Sequence, residues 1–211
     1  NNYLAREKVD SLKNIFDEAI TIAESSQSPF YFGFSYNFLG LYYDIFSTHQ
    51  NYDSALTYYY KGFKHISKES PNEIHAILCN NIAAIHHNIS QLDSCKYYAE
   101  LGYQYADSLD NYLMKSSNLG MLSSYYWTTG NYSKALECHN KALELARIQG
   151  DSNRIMLSLL QIGTTNIRAE KFEEGIEILK SVLINFGTSY QHSFKQVVNL
   201  NIGAAYIDLD N

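Results

Sequence analysis

Apolar and polar positions alternate with helical spacing along most of the chain, and the pattern is sharpest between Ser116 and Gln149. Leu119, Leu122, Ser123 and Tyr126 recur at intervals of three and four, which places them on one face of a helix. Beyond Thr129-Gly130-Asn131 the same spacing returns in Tyr132, Ala135, Leu136, His139, Ala142 and Leu143. Gly130 can take the left-handed backbone that ends a helix, so the stretch predicts two helices joined by a tight turn. Helices joined this closely run antiparallel and bury their apolar stripes on each other. Ser123, Ala135 and Ala142 are small enough to let the two backbones approach.

The same pattern returns at a fixed interval of forty. At that step Tyr132 aligns with Leu92, Tyr52 and Leu12 in one direction and with Phe172 in the other, all large and apolar. Ala135 aligns with Ile15, Ala55, Cys95 and Gly175, and Ala142 with Ile22, Gly62, Gly102 and Val182. Before the turn, Leu122 aligns with Tyr42, Ile82, Ile162 and Ile202, and Ser123 with Tyr43, Ala83, Gly163 and Gly203. Tyr126 aligns with Phe46, His86, Asn166 and Tyr206, and no insertion or deletion is needed anywhere. The turns then fall near His49-Gln50-Asn51, Ile89-Ser90-Gln91, Gly130 and Ala169-Glu170. Residues 1–27 hold a lone second-type helix with Leu12, Ile15, Phe16, Ala19, Ile22 and Ala23 as its apolar set. Hairpins occupy 28–69, 70–109, 110–150 and 151–188, and a lone first-type helix fills 189–211. Ser28-Pro29 and Ser70-Pro71 read as N-cap and first helical residue, and Asp110 reads as the cap of the third hairpin. The array opens and closes in mid-hairpin, with Ile202, Gly203 and Tyr206 still on the buried pattern and Asn as first residue. A piece of a longer chain is the expectation.

The recurring hairpin resembles the tetratricopeptide repeat. That family places a large apolar residue, Leu-Gly or Leu-small, an aromatic, Gly-x-Tyr, Ala, a large residue and a second Ala. Here those places are Leu119, Leu122-Ser123, Tyr126, Gly130-x-Tyr132, Ala135, His139 and Ala142. Leu stands for the family's Trp, Ser for its first Gly and His for an aromatic. The period of forty is longer than that of the common form, which repeats about every 34 residues. Asn51, Gln91, Asn131 and Lys171 directly precede the column residue, so the added residues must lengthen the helices near the loop between hairpins. They add roughly 9 Å of helix, shared between two helices. Long-helix versions of the repeat occur in bacterial regulators and sensor kinases and in some motor-protein light chains. The resemblance implies an all-α, right-handed α-solenoid of antiparallel helix pairs, a single array over 1–211. Its inner wall of first helices would receive a peptide or protein segment.

Composition and candidate chemistry alter this picture little. No run of 18 apolar residues exists, so no membrane span is expected. No leader segment is visible, and the compartment stays open between cytoplasm and periplasm. A net charge of −6 with singly scattered basic residues argues against nucleic-acid contact. Cys79, Cys95 and Cys138 match no metal spacing. Cys79 and Cys95 fall at buried positions on opposing helices of one hairpin, as packing residues or as a disulfide. His86 and His139 occupy inward columns, while adjacent His86 and His87 point about 100° apart on a helix and cannot easily share an ion. No Ser-His-Asp order, glycine-rich phosphate loop or carboxylate pair stands out, so no catalysis, metal or cofactor is expected. Asn88-Ile-Ser90 and Asn131-Tyr-Ser133 fit the glycosylation pattern but lie in tight turns. Nineteen tyrosines are the compositional outlier. Tyr59 and Tyr126 point inward by register, and most others belong to helix–helix interfaces, with a minority on a binding surface.

Counting from the buried columns names the groove-facing residues. Asn37, Leu41, Asp44 and Thr48 lead, followed by Ile77, Asn80, Asn81, Ala84, His87 and Asn88. Ser117, Met121, Ser124, Trp127 and Thr128 come next, then Leu157, Gln161, Thr164 and Arg168, and finally Asn201 and Asp208. Asn side chains can bond a peptide backbone from both ends of the amide, and Trp often dominates interface energetics. The carboxylate clamp of co-chaperone members is not reproduced, since only Asn81 matches it. Two functions follow: a ligand-reading module within a larger bacterial signalling or transcription-regulatory protein, or a passive scaffold that self-associates through its open ends.

Overall fold

A computed structural model of the chain describes residues 2–26, 28–46, 51–66, 70–186 and 192–209. Ten α-helices account for nearly all of them: α1 (Asn2–Ser26), α2 (Pro29–Leu41), α3 (Tyr52–Ile66), α4 (Glu73–Asn88), α5 (Leu92–Ser108), α6 (Tyr112–Thr128), α7 (Tyr132–Gln149), α8 (Ser152–Arg168), α9 (Phe172–Phe186) and α10 (His192–Leu209). A π-helical turn, Tyr42–Phe46, prolongs α2. No strand is present among the described residues. The chain divides into two compact units, Asn1–Met114 and Lys115–Asn211. Helices pack on their successors from α1 to α5 and from α7 to α10, Ser123 of α6 bonds His139 of α7 at 2.6 Å, and first helices also meet side by side, α2 on α4 and α8 on α10. This is the packing of an all-α solenoid built from antiparallel hairpins.

The turns explain the strict period. Ser90, Gly130 and Glu170, each one period from the next, take φ of 61°, 74° and 61°. The next N–H in each case reaches back to a helical carbonyl: Gln91 to His86 at 2.8 Å, Asn131 to Tyr126 at 2.8 Å and Lys171 to Asn166 at 2.9 Å. That closure satisfies carbonyls a helix end leaves orphaned. The connections between hairpins use the same device. Asp110 and Gly150 have φ of 51° and 65°, and Asn111 and Asp151 bond back to Ala106 and Ala146 at 2.9 and 3.0 Å. Both kinds of connection are therefore equally tight, and the residues of the long repeat go into helices of 16 to 18 residues in α4 to α8. The turn expected near His49 and Gln50, the groove position Thr48 and the chain end after Leu209 lie outside the described residues.

Two expected caps are corrected. Helix α4 starts after Asn72, not at Pro71: the Asn72 N–H donates to His75 Nδ1 at 3.2 Å, and His75 Nε2 bonds the Ile66 carbonyl at 2.9 Å. A buried imidazole thus joins the end of α3 to the start of α4. At α6 the cap is Asn111, whose Oδ1 accepts the Met114 N–H at 3.1 Å, because Asp110 is used up in the left-handed turn. Pro29 does open α2, behind an extended Ser28 whose hydroxyl makes no cap bond. Asp151 caps α8 through the Arg154 N–H at 3.0 Å.

Packing follows the small-residue columns. A Cβ on Gly40 would lie 2.2 Å from the ring of fully buried Tyr59, and one on Gly175 would lie 2.8 Å from the Gly163 carbonyl across the α8–α9 contact. In the first unit Ala55, Tyr59, Ile66, Ile74, Leu78, Ile82 and Ile85 form the core. In the second, Ile176, Leu179, Val198, Ile202 and Ala205 do so, with Phe172 and Leu183 against them. All three cysteines are buried free thiols, so Cys79 and Cys95 are packing residues. Many tyrosines stack ring on ring, Tyr43 on Tyr58 at 5.3 Å and Tyr36 on Tyr58 at 6.3 Å.

The end helices depart from the expected columns. Ile15 and Ile22 are 56% and 61% exposed, while Leu12, Phe16, Ala19 and Ala23 face inward. Their columns are those by which a second helix meets the first helix of its own hairpin, as Gly175 meets α8. No described helix lies on that side of α1. Gly203 and Tyr206 are exposed on α10 for the mirror reason, and only Ile202 of that trio is buried.

Candidate functional site

Helices α6 and α8 are the first helices of consecutive hairpins in the second unit. Between them lies a cleft of about 260 Å³ lined by Ser116, Gly120, Met121, Ser124, His139, Ala142, Arg154, Leu157, Ser158 and Gln161. Two expected site residues, Met121 and Gln161, thus share one wall. Two more, Trp127 and Arg168, meet further along it, with the guanidinium carbon 5.6 Å from the indole centroid. Trp127 stays 39% exposed. Positions 121, 124, 157 and 161 project together because helical spacing puts them on one stripe of each helix, opposite the columns buried against α7 and α9.

The floor of the cleft is His139 of α7. Its Nε2 lies 2.6 Å from Ser123 Oγ, and burial lowers its pKa to about 4. The imidazole is therefore neutral near pH 7. Ser123 is only 1% exposed and does not line the cleft, so the pair works as a buried hydrogen bond between α6 and α7. Two hydroxyls on the wall are already committed: Ser124 Oγ donates to the Gly120 carbonyl at 3.0 Å, and Thr164 Oγ1 to the Leu160 carbonyl at 2.6 Å. What they offer a ligand is oxygen lone pairs. Arg154, near the start of α8, is held by Asp151 at 3.2 Å through its Nε.

In the first unit the expected groove residues are placed differently. Asn37 is 4% exposed, and its Oδ1 accepts the Asn81 Nδ2–H at 2.8 Å. The two amides expected to meet a ligand meet each other across α2 and α4, so Asn37 is a packing residue. Leu41 is half-buried against the core of that unit. Asp44 sits half-buried in the π-helical turn, where burial raises its carboxyl pKa. Asn80 and His87 are half-buried, and the Nδ2 of Asn80 is enclosed without a hydrogen-bond partner. His86 is bound by Tyr60 Oη at 2.6 Å, and burial lowers its pKa. Burial likewise pushes the Cys79 and Cys95 thiols up to about 12 and 11, well away from a thiolate.

Gly120, Arg154 and Ser158 were not singled out by the column count. They continue its stripes by one turn each, at 124 minus four, 157 minus three and 161 minus three, and that periodicity was the available signal. Among the described residues no cluster of three or more His, Cys, Asp or Glu converges as a metal site, and no helix is long and apolar enough to cross a membrane.

No family model and no curated protein sequence matches the chain. Solved structures do. The crystal structure of BtubC (BKLC) from P. vanneervenii superposes with a TM-score of 0.82 at 13% identity, over 96% of this chain and 83% of that one. A Signal Transduction ATPase with Numerous Domains (STAND) protein with a tetratricopeptide repeat sensor, from Pyrococcus horikoshii, superposes with a TM-score of 0.75 at 15% identity, over 96% of this chain and 32% of that one. The chain thus spans about a third of the second protein. At these identities the likeness is one of fold, a tetratricopeptide-like helical repeat.

Proposed function

We propose that this chain is a tetratricopeptide-repeat array that binds an extended peptide or protein segment along α6 and α8. It would serve as the sensing or interaction part of a larger bacterial signalling or transcription-regulatory protein, without catalysis of its own. The cleft between the two helices carries this reading. Met121 and Leu157 offer apolar contact, Ser124, Ser158 and Gln161 offer polar contact, and the one tryptophan stands open at its end. Apolar walls with a few placed polar groups are the usual make-up of a binding site.

Gly120 allows a direct test, because a Cβ there meets nothing within 4 Å. Gly120→Leu fills the cleft and keeps the helix. With peptides selected from a random library, the parent protein is expected to show saturable changes in Trp127 emission, and Gly120→Leu is expected to weaken them at least tenfold. Equal binding by the two proteins would remove the cleft from the account.

A scaffold reading is favoured by one observation: Ile184 on α9 and Leu200 and Ile207 on α10 are 78%, 74% and 65% exposed. Concentration-dependent sedimentation with no peptide binding would support it in place of the first reading.

A further inference from the structure

In the second unit α6 and α8 carry no acidic residue. Their only charged residues are Lys115, Arg154 and Arg168. Among α6 to α9, acids appear only on the outer helices, Glu137 and Glu144 on α7 and Glu173, Glu174 and Glu177 on α9, where Lys134, Lys141, Arg147 and Lys180 accompany them. A chain with net charge −6 therefore presents a cationic inner wall in this unit. Of the carboxylates beside it, Asp151 is engaged by the Arg154 Nε, which leaves the outer guanidinium nitrogens for a ligand. Helix α10 carries one cation and one anion, Lys195 near its start and Asp208 near its end, and so adds no net charge. Arg168 is exposed and stacked on Trp127, with no ion pair to a carboxylate among the described residues.

From this we infer that the segment taken by the groove is acidic and extended, with two carboxylates about six residues apart. The inference rests on the peptide-binding reading above and adds the class of ligand. Arg154 and Arg168 stand fourteen positions apart on one helix, α8. At 1.5 Å per residue that is about 21 Å, which an extended chain at about 3.3 Å per residue spans in roughly six residues. Fourteen positions also amount to nearly four whole helical turns, so both guanidinium groups fall on the same stripe. Between them, Ser124 and Thr164 present oxygen acceptors, their own hydrogens being given to Gly120 and Leu160. Acceptors in the middle suit the N–H groups of a peptide backbone, and guanidinium forks at the ends suit its carboxylates.

The test is selection from a library of random twelve-residue peptides on the 211-residue protein, run beside Arg154→Gln, Arg168→Gln and the double variant. Helical circular dichroism confirms that each variant is folded. The expected result is enrichment of peptides with two Asp or Glu about six positions apart. Each single variant should weaken binding roughly tenfold, in line with loss of one charge-assisted contact, and added salt should weaken the parent's binding. Neutral or basic peptides, or equal binding by the double variant, would overturn the acidic-ligand inference and leave peptide binding standing. A library that yields no binder would remove both.

Discussion

At the scale of single residues, four positions show what the repeat's columns decide and what they leave open. His139 stands where the family pattern has an aromatic, and it serves as the floor of the cleft. Because burial depresses its pKa to about 4 from an ordinary 6.5, the unfolded chain takes up a proton before the folded one does. The stability it contributes is thus present above about pH 6.5 and is lost as pH falls toward 4, by roughly 3 kcal/mol at most. Urea unfolding at pH 7 and pH 4.5 should show this loss, and His139→Phe should flatten it. Gly120 and Gly40 occupy the same column and should respond oppositely to a methyl group. Gly120→Ala meets open space and should raise stability by about 0.5–1 kcal/mol through backbone entropy. Gly40→Ala would drive a Cβ into the Tyr59 ring and should lower stability by about 1–3 kcal/mol. Thermal melts of the two variants check both signs. Asn37 marks where residue counting falls short. Whether an amide in that column faces a ligand or its neighbour depends on the residue opposite, here Asn81, and no spacing rule reports that.

Among the elements, the turns were the most legible part. A single left-handed residue recurs at Ser90, Gly130 and Glu170, although only one of the three is glycine. Register, rather than glycine, therefore located the turns, and the sequence columns placed all three. The same conformation predicts a swap. Glu170→Gly should stabilise by about 1 kcal/mol, and Gly130→Ala should destabilise by a similar amount, since a Cβ disfavours the left-handed region. Chemical denaturation with constant m-value checks both. Caps were less legible: Ser70-Pro71 and Asp110 were plausible by composition, yet Asn72 and Asn111 take the role. Several polar residues crowd each connection there, and the turn geometry decides which one faces the helix. The end helices α1 and α10 kept their helical spacing, but Ile15, Ile22, Gly203 and Tyr206 did not keep their burial. A column states which face would meet a partner helix; it does not supply that helix.

For the whole molecule, a period of forty without insertion was enough to anticipate an all-α solenoid, and structures at 13% and 15% identity share that fold. Such low identity with high structural likeness is understandable physically. A hairpin array asks only for small residues at crossings, large ones between them and a left-handed turn, and many sequences meet those terms. The candidate site was half legible for the same reason. Stripe positions such as Met121, Trp127, Gln161 and Arg168 follow from periodicity, whereas the cleft itself depends on Gly120 leaving space and on the depth at which His139 lies. The central claim is that ligand lies on α6 and α8. Its most direct measurement is a map of backbone amide NMR shifts on titration with a library-selected peptide. The largest changes should cluster at Gly120, Met121, Ser124, Leu157, Gln161 and Thr164, with the Trp127 indole N–H moving with them. Changes confined to the outer helices α7 and α9, with those six amides unmoved, would contradict it.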